Sequence, residues 1–166
     1  WVDAYAKGHD AVIVFEDDFS EVAQVPWDHV QQLLDMDYDL IYLGRNAIKP
    51  ELEKSIEGVI GWVEPDYSYN AHAYILSKKG LQILVEEYLE QFKGAMFAMD
   101  EFLPITYGMT HRQEILGEYA GKTRLKAAAP KVNYYEQVDS PGLTFYVRPD
   151  ENLLEIKQTQ NWGEWC

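Results

Sequence analysis

The sequence holds a single cysteine, Cys166, among 166 residues. No disulfide can form within the chain, and cysteine usage gives no sign of an oxidising compartment and no argument against one. Positive charge is scarce as well: 14 Lys and Arg stand against 28 Asp and Glu, for a net charge of -14. The few cations are scattered, so nucleic acid and anionic lipid are repelled over most of the surface, and no nucleic-acid partner is expected. A phosphate-bearing ligand would have to be met by a metal ion or by a local arrangement that outweighs this field. Long hydrophobic runs are missing too. None approaches the roughly 20 residues that span a bilayer, and no signal-like segment opens the chain, so no transmembrane segment is expected. There is no Gly-rich phosphate loop, no G-x-S-x-G and no zinc motif. His9, His29 and His111 stand at no metal-ligand spacing. Trp1 is not an initiator methionine, and the chain is expected to begin inside a longer protein.

What is present is apolar residue in quantity, 47% of the chain, enough for one real core. We read residues 1–166 as a single domain, with 140–166 a possible tail or arm. Strands alternate with helices. AVIVF (11–15) is short, β-branched and bounded by Gly8 and a run of acids, which predicts a buried strand. A helix is expected after Pro26, with Trp27, Val30, Leu33 and Leu34 on one face. DLIYLG (39–44) reads as a second buried strand, and EGVIGWVE (57–64) and AHAYILS (71–77) as two more. Ser77 can cap a helix whose positions Leu81, Leu84, Val85, Tyr88, Leu89 and Phe92 follow the helical period, with Gly94 ending it. The pattern argues for an α/β layer fold.

The first strand runs directly into Glu16, Asp17 and Asp18. In an open α/β sheet, ligands gather beyond the carboxyl ends of strands. Alternation puts Glu16 and Asp18 on one side and Asp17 on the other, so two carboxylates can face one object. Held close, they repel unless a proton or a cation intervenes. An oxygen-rich site of this kind suits Mg or Mn, above all where diphosphate oxygens complete the shell; a solvated acidic turn is the alternative. Asp100 and Glu101, in FAMDEFLP, precede a short helix. Asp100 can be its N-cap, with Glu101 favouring the dipole, or a general base whose pKa an apolar pocket lifts. His72 lies alone on an apolar strand, as a core histidine or a site residue. Tyr67, Tyr69 and Trp62 are either core or a platform for stacking a sugar.

Four segments in order, VFEDDF, YDLIYLGR, EPDYSYNAHAYILSKKGLQILV and MDEFLP, resemble glycosyltransferase family 25, which includes bacterial lipopolysaccharide galactosyltransferases and procollagen hydroxylysine galactosyltransferases. VFEDD, DYSY and DEFLP look most like the procollagen branch, and AHAYILSKKG is shared with the bacterial one. The resemblance runs from Trp1 to about Pro130. It departs after DEFLP, where the procollagen branch carries a histidine and APKVNYYEQVDSPG has none.

This resemblance implies a GT-A-like glycosyltransferase fold, a mixed sheet flanked by helices, here without the N-terminal nucleotide-binding strand. By the match, Glu16-Asp17-Asp18 corresponds to the family's acidic metal motif. Asp18 would hold Mn2+ (or Mg2+) against the diphosphate of a UDP-sugar, and Glu16 would assist the metal or the ribose. Asp100 and Glu101 match the downstream acidic pair, where the base of an inverting transfer is expected. Tyr67, Tyr69, His72 and Asp17 are expected on the substrate side. The implied activity is metal-dependent transfer of a hexose, galactose from UDP-galactose being the family's commonest donation, to a hydroxyl of collagen-like hydroxylysine or a glycan. The acidic surface also suits a cationic acceptor. A catalytically inactive relative serving as a binding or assembly module is the alternative. A pyrophosphohydrolase would need a glutamate-rich helix that the sequence lacks. The compartment would be the cytoplasm for a bacterial or viral enzyme and the ER lumen for a procollagen-type one.

Overall fold

The structure, a computed structural model, describes residues 1–90 and 98–138. Within them a mixed sheet of six strands runs in the order β1-β6-β3-β7-β5-β4. The strands are β1 (Ala11–Phe15), β3 (Leu40–Ala47), β4 (Lys54–Ser55), β5 (Trp62–Glu64), β6 (Ser68–Ser77) and β7 (Ala127–Pro130). A separate two-stranded ribbon pairs β2 (Phe19–Glu21) with β8 (Tyr135–Gln137). The helices are α1 (Val2–Ala6), α2 (Trp27–Asp35), α3 (Lys78–Ile83), α4 (Met99–Thr106) and α5 (Gln113–Leu116). No helix among the described residues is long and apolar enough to cross a membrane.

β3 and β6 form the spine. Leu40 pairs with Leu76, Ile41 with Ile75 and Tyr42 with Tyr74. Because both neighbours run antiparallel to β6, β1 and β3 point the same way, and β7 lies parallel to β3. The carboxyl ends of β1 and β3 therefore come out at one end of the sheet. Alternation along the strands divides the core between two faces. Leu40, Tyr42, Tyr74 and Leu76 pack with Leu81 of α3, with Leu84 just beyond it, and with Phe102 and Leu103 of α4. Ile41, Leu43 and Ile75 pack with Val30 and Leu33 of α2 and with Trp62.

Ser77 caps α3 as its sequence predicts, its hydroxyl accepting from the Gly80 N–H at 3.0 Å. Beyond Ile83 the helix widens into a π-helical turn over Leu84–Tyr88, burying Leu84 and Tyr88. Phe92 and Gly94, the expected end of this helix, lie outside the described residues, as does the expected arm at 140–166.

Three expectations are corrected. Among the described residues β1 is an edge strand and not a buried one: there it pairs with β6 alone, and Ile13 and Phe15 are exposed. Its β-branched composition fits a strand whether one neighbour is present or two. The segment 57–64 is strand only over Trp62–Glu64, because Gly58 and Gly61 both take positive φ (83° each) and bend the chain before it. In α2, Val30 and Leu33 are buried, whereas Trp27 at the first position turns outward.

Candidate functional site

Glu16 continues the β1 ladder by one step, its N–H donating to the His72 carbonyl at 3.0 Å. The chain then turns, and Phe19 starts β2. Phe15 stacks on Phe19 with ring centroids 4.5 Å apart, and Tyr135 of β8 meets both rings edge-on. This aromatic trio ties the turn to the ribbon. Across the turn Glu16 and Asp18 are half-buried and Asp17 is exposed. Asp18 is gripped by β8 and its continuation: the Val138 N–H donates to its carbonyl at 2.7 Å, and Gln137 Nε2–H donates to its Oδ2. Its other oxygen, Oδ1, is buried and has no hydrogen-bond partner among the described residues.

Asp100 enters from α4. Ala98 takes the N-cap position, in extended conformation and with no side-chain cap bond, so the expectation that Asp100 caps this helix is corrected. Asp100 stands inside the first turn, with Glu101 after it, and its carboxylate accepts from the Ala71 N–H of β6. Burial, and then the charge of Asp18, push its pKa up against the pull of His72 and of that N–H. Glu16 is pushed up to about 7, by burial first and then by the charges of Asp100, Asp18 and Asp17. The strand end and the helix start thus bring at least three carboxylates into mutual repulsion in a partly dry site.

Beneath them lies His72, 1% exposed. Its Nε2 is 2.9 Å from the Tyr135 carbonyl, which can only accept, so Nε2 carries a proton. Nδ1 is buried and without a hydrogen-bond partner among the described residues. Beside the acids, Tyr67 meets His111, whose Nδ1 is 2.9 Å from the phenol oxygen. Burial raises the Tyr67 pKa, and Glu101, Tyr69 and Asp100 raise it further, so this aromatic group borders the acidic pair. Tyr69 is 40% exposed. Glu101 faces Arg112 at 3.8 Å. Trp62 is fully buried in the core and cannot stack a sugar.

Among the described residues, no three His, Cys, Asp or Glu side chains are grouped to hold a metal ion by themselves. The donors that are present still fit a divalent cation of the Mg or Mn kind. Such ions accept one or two carboxylates and take their other ligands from water and phosphate. The unpartnered Asp18 Oδ1 and the repulsion stored around Glu16 are what such an ion would relieve. Gln137 and Asn70 belong to no motif in the sequence, and His111 stands at no metal-ligand spacing, so none of the three is marked as a site residue by pattern.

Comparison with known proteins gives one consistent set of relatives. The chain is 38% identical over 114 residues to the probable inactive glycosyltransferase 25 family member 3 of Rattus norvegicus, covering 64% of this chain and 19% of that protein. It is 34% identical over 134 residues to procollagen galactosyltransferase 2 of Homo sapiens, covering 76% of this chain and 21% of that protein. With procollagen galactosyltransferase 1 of Danio rerio it shares 32% identity over 142 residues, 81% of this chain and 23% of that protein. The chain thus spans about a fifth of the length of the curated relatives it matches. No family model matches the chain, and no solved structure does.

Proposed function

The chain belongs to glycosyltransferase family 25, and from that premise we propose that it carries the cation and acceptor side of a GT-A-type glycosyltransferase. The reaction would move a hexose, galactose from UDP-galactose, to a hydroxyl of a protein or glycan acceptor with inversion. One observation carries the reading: Glu16, Asp18 and Asp100 converge at the carboxyl end of β1 with one oxygen of Asp18 unpartnered. The mixed six-stranded sheet is compatible with a GT-A fold. The hydrogen-bonding edge of β1 that is unpaired among the described residues is where further strands of a nucleotide-binding half would pair.

In this scheme Glu16 and Asp18 would hold Mn or Mg, and the ion would supply Lewis-acid neutralisation of the leaving diphosphate. Asp100 accepts the proton of the attacking hydroxyl. The new bond joins that oxygen to the anomeric carbon as the bond from carbon to diphosphate oxygen breaks on the opposite face. Burial and the charge of Asp18 hold the Asp100 carboxyl above the usual aspartate range, which makes it a better proton acceptor than an ordinary aspartate. Tyr67 and Tyr69 border the acceptor side, and His72 supports Asp100 from below.

A second reading is favoured by the names of several relatives, among them the Homo sapiens protein called inactive glycosyltransferase 25 family member 3. On that reading the segment keeps its fold and serves as a binding or assembly module. Calorimetry of UDP binding to the full-length natural polypeptide, with and without Mn, tests the cation role. Nucleotide affinity should depend on Mn, and Asp18→Asn should remove that dependence. Equal affinity in both conditions, or metal binding unchanged in Asp18→Asn, rejects it. Nucleotide binding that depends on Mn but gives no sugar transfer to any acceptor supports the second reading.

A further inference from the structure

Asn70 lies in β6 just beyond the stretch paired with β1, and its φ of 58° is left-handed, a conformation that asparagine tolerates better than most residues. There its Nδ2–H donates to Gln137 Oε1 at 2.7 Å, and Gln137 Nε2–H in turn donates to Asp18 Oδ2. The direction of this relay is set at its end. An ionised carboxylate only accepts, so Gln137 must present its NH2 group to Asp18 and its carbonyl oxygen to a donor, which Asn70 supplies. The same short segment holds the Asp18 main chain through the Val138 N–H. Asp18 is therefore clasped at two points by β8 and its continuation, with Oδ2 engaged and Oδ1 left unpartnered.

We propose that Gln137, oriented by Asn70, is a positioning residue for the cation site: it fixes the Asp18 carboxylate so that Oδ1 alone is offered to the ion. The inference rests on the reading that Glu16 and Asp18 hold a divalent cation, and it adds a residue 119 positions away in sequence. Without the relay, repulsion from Glu16 and Asp100 would turn the Asp18 side chain toward water. Hydrogen-bonded partners of metal-ligating carboxylates typically account for about 10–100-fold in metal affinity.

The test is direct Mn2+ binding to the full-length natural polypeptide, followed by the paramagnetic resonance signal of free Mn2+ with neither nucleotide nor acceptor present. Gln137→Ala should weaken binding by about 10–100-fold with the melting temperature unchanged, since the side chain is exposed. Asn70→Gly preserves the left-handed backbone and deletes only the donor, and should give a smaller loss in the same direction. Mn2+ bound by the wild type with the same affinity in both variants overturns the role of Gln137 and leaves the cation reading standing. A wild type that binds no Mn2+ overturns the cation reading and this inference with it. Should Gln137→Ala fail to fold, Asn70→Gly decides the matter alone.

Discussion

Gly44 faces His72 at a distance that admits no side chain: a β-carbon there would lie 2.2 Å from His72 Nε2 and 2.3 Å from the Tyr135 carbonyl oxygen. The β3 backbone passes directly over the hydrogen bond that holds the imidazole to β8. Gly44→Ala must therefore displace a fully buried ring or a strand backbone, neither of which is a flexible tip. Overpacking of this kind costs about 1–3 kcal/mol, and urea unfolding should show a loss in that range. An alanine variant as stable as the wild type would show that His72 is not held as tightly as its geometry indicates.

The acidic site should make the metal-free protein less stable as pH rises. The pKa of Glu16 is raised from 4.5 to about 7. Between those values the folded chain keeps a proton that the unfolded chain has released, so stability falls through that window and levels off above it. Asp100 is shifted in the same direction and adds to the slope. Melting temperatures measured in chelator across this range should decline, and Glu16→Gln should flatten the decline. On the proposed cation reading Mn2+ would bind the ionised site, so the thermal shift it produces should grow over the same window. A melting temperature that rises from pH 5 to about pH 7 because of this group would contradict the site geometry.

Away from the site, Arg45 and Glu53 form a buried pair, with Nη1 2.7 Å from Oε1 and side chains 2% and 5% exposed. Ser68 adds a hydroxyl acceptor at 2.8 Å. Removing one partner strands the other charge, which costs about 3–5 kcal/mol, whereas replacing both with apolar residues of similar size is often nearly neutral. Arg45→Met should thus be severely destabilising, and Glu53→Leu added to it should recover most of the loss. Chemical denaturation of the two single variants and the double variant checks this. Additive losses would mean that the pair does not act as a unit.

Some of this was legible in the sequence because it depends on local pattern. The strands at 11–15 and 39–44, the Ser77 cap and the helix after Pro26 rest on residue type and spacing within a few positions. The edge location of β1 does not. Five apolar residues look alike beside one neighbouring strand or two, and only the pairing with β6 separates the cases. EGVIGWVE misled for a local reason: the glycines that bend it are spaced as a strand with small residues would be. At the site, two acidic segments more than 80 positions apart could be named, but their convergence follows from α4 packing its first turn against β6. Asp100 drew the role of a cap as one alternative because aspartate favours that position, and the cap in fact falls two residues earlier, at Ala98. Gln137 carried no signal at all. A lone glutamine in a late strand acquires meaning only once the ribbon folds back onto the turn at Asp18.

Asp100→Asn separates chemistry from architecture. The variant keeps the size of the side chain and an oxygen that can accept from the Ala71 N–H, and since Asp100 is not the cap, no capping bond is lost. It removes one negative charge from the first turn of α4, worth about 0.3–1 kcal/mol of favourable dipole interaction. It also removes the charge that acts most strongly on Glu16. These effects oppose each other, so the melting temperature should hold or rise slightly above neutral pH. The ionisation of Glu16 should move to lower pH, which carboxyl NMR can follow even in a protein without transfer activity. If Asp100 is the base, sugar transfer should fall by about 10²–10⁴-fold while donor affinity stays. Full transfer activity in the variant would move the role to Glu101. An unmoved Glu16 would show that the strand end and the helix start are not electrostatically coupled, and the convergence on which the proposed site rests would then fail.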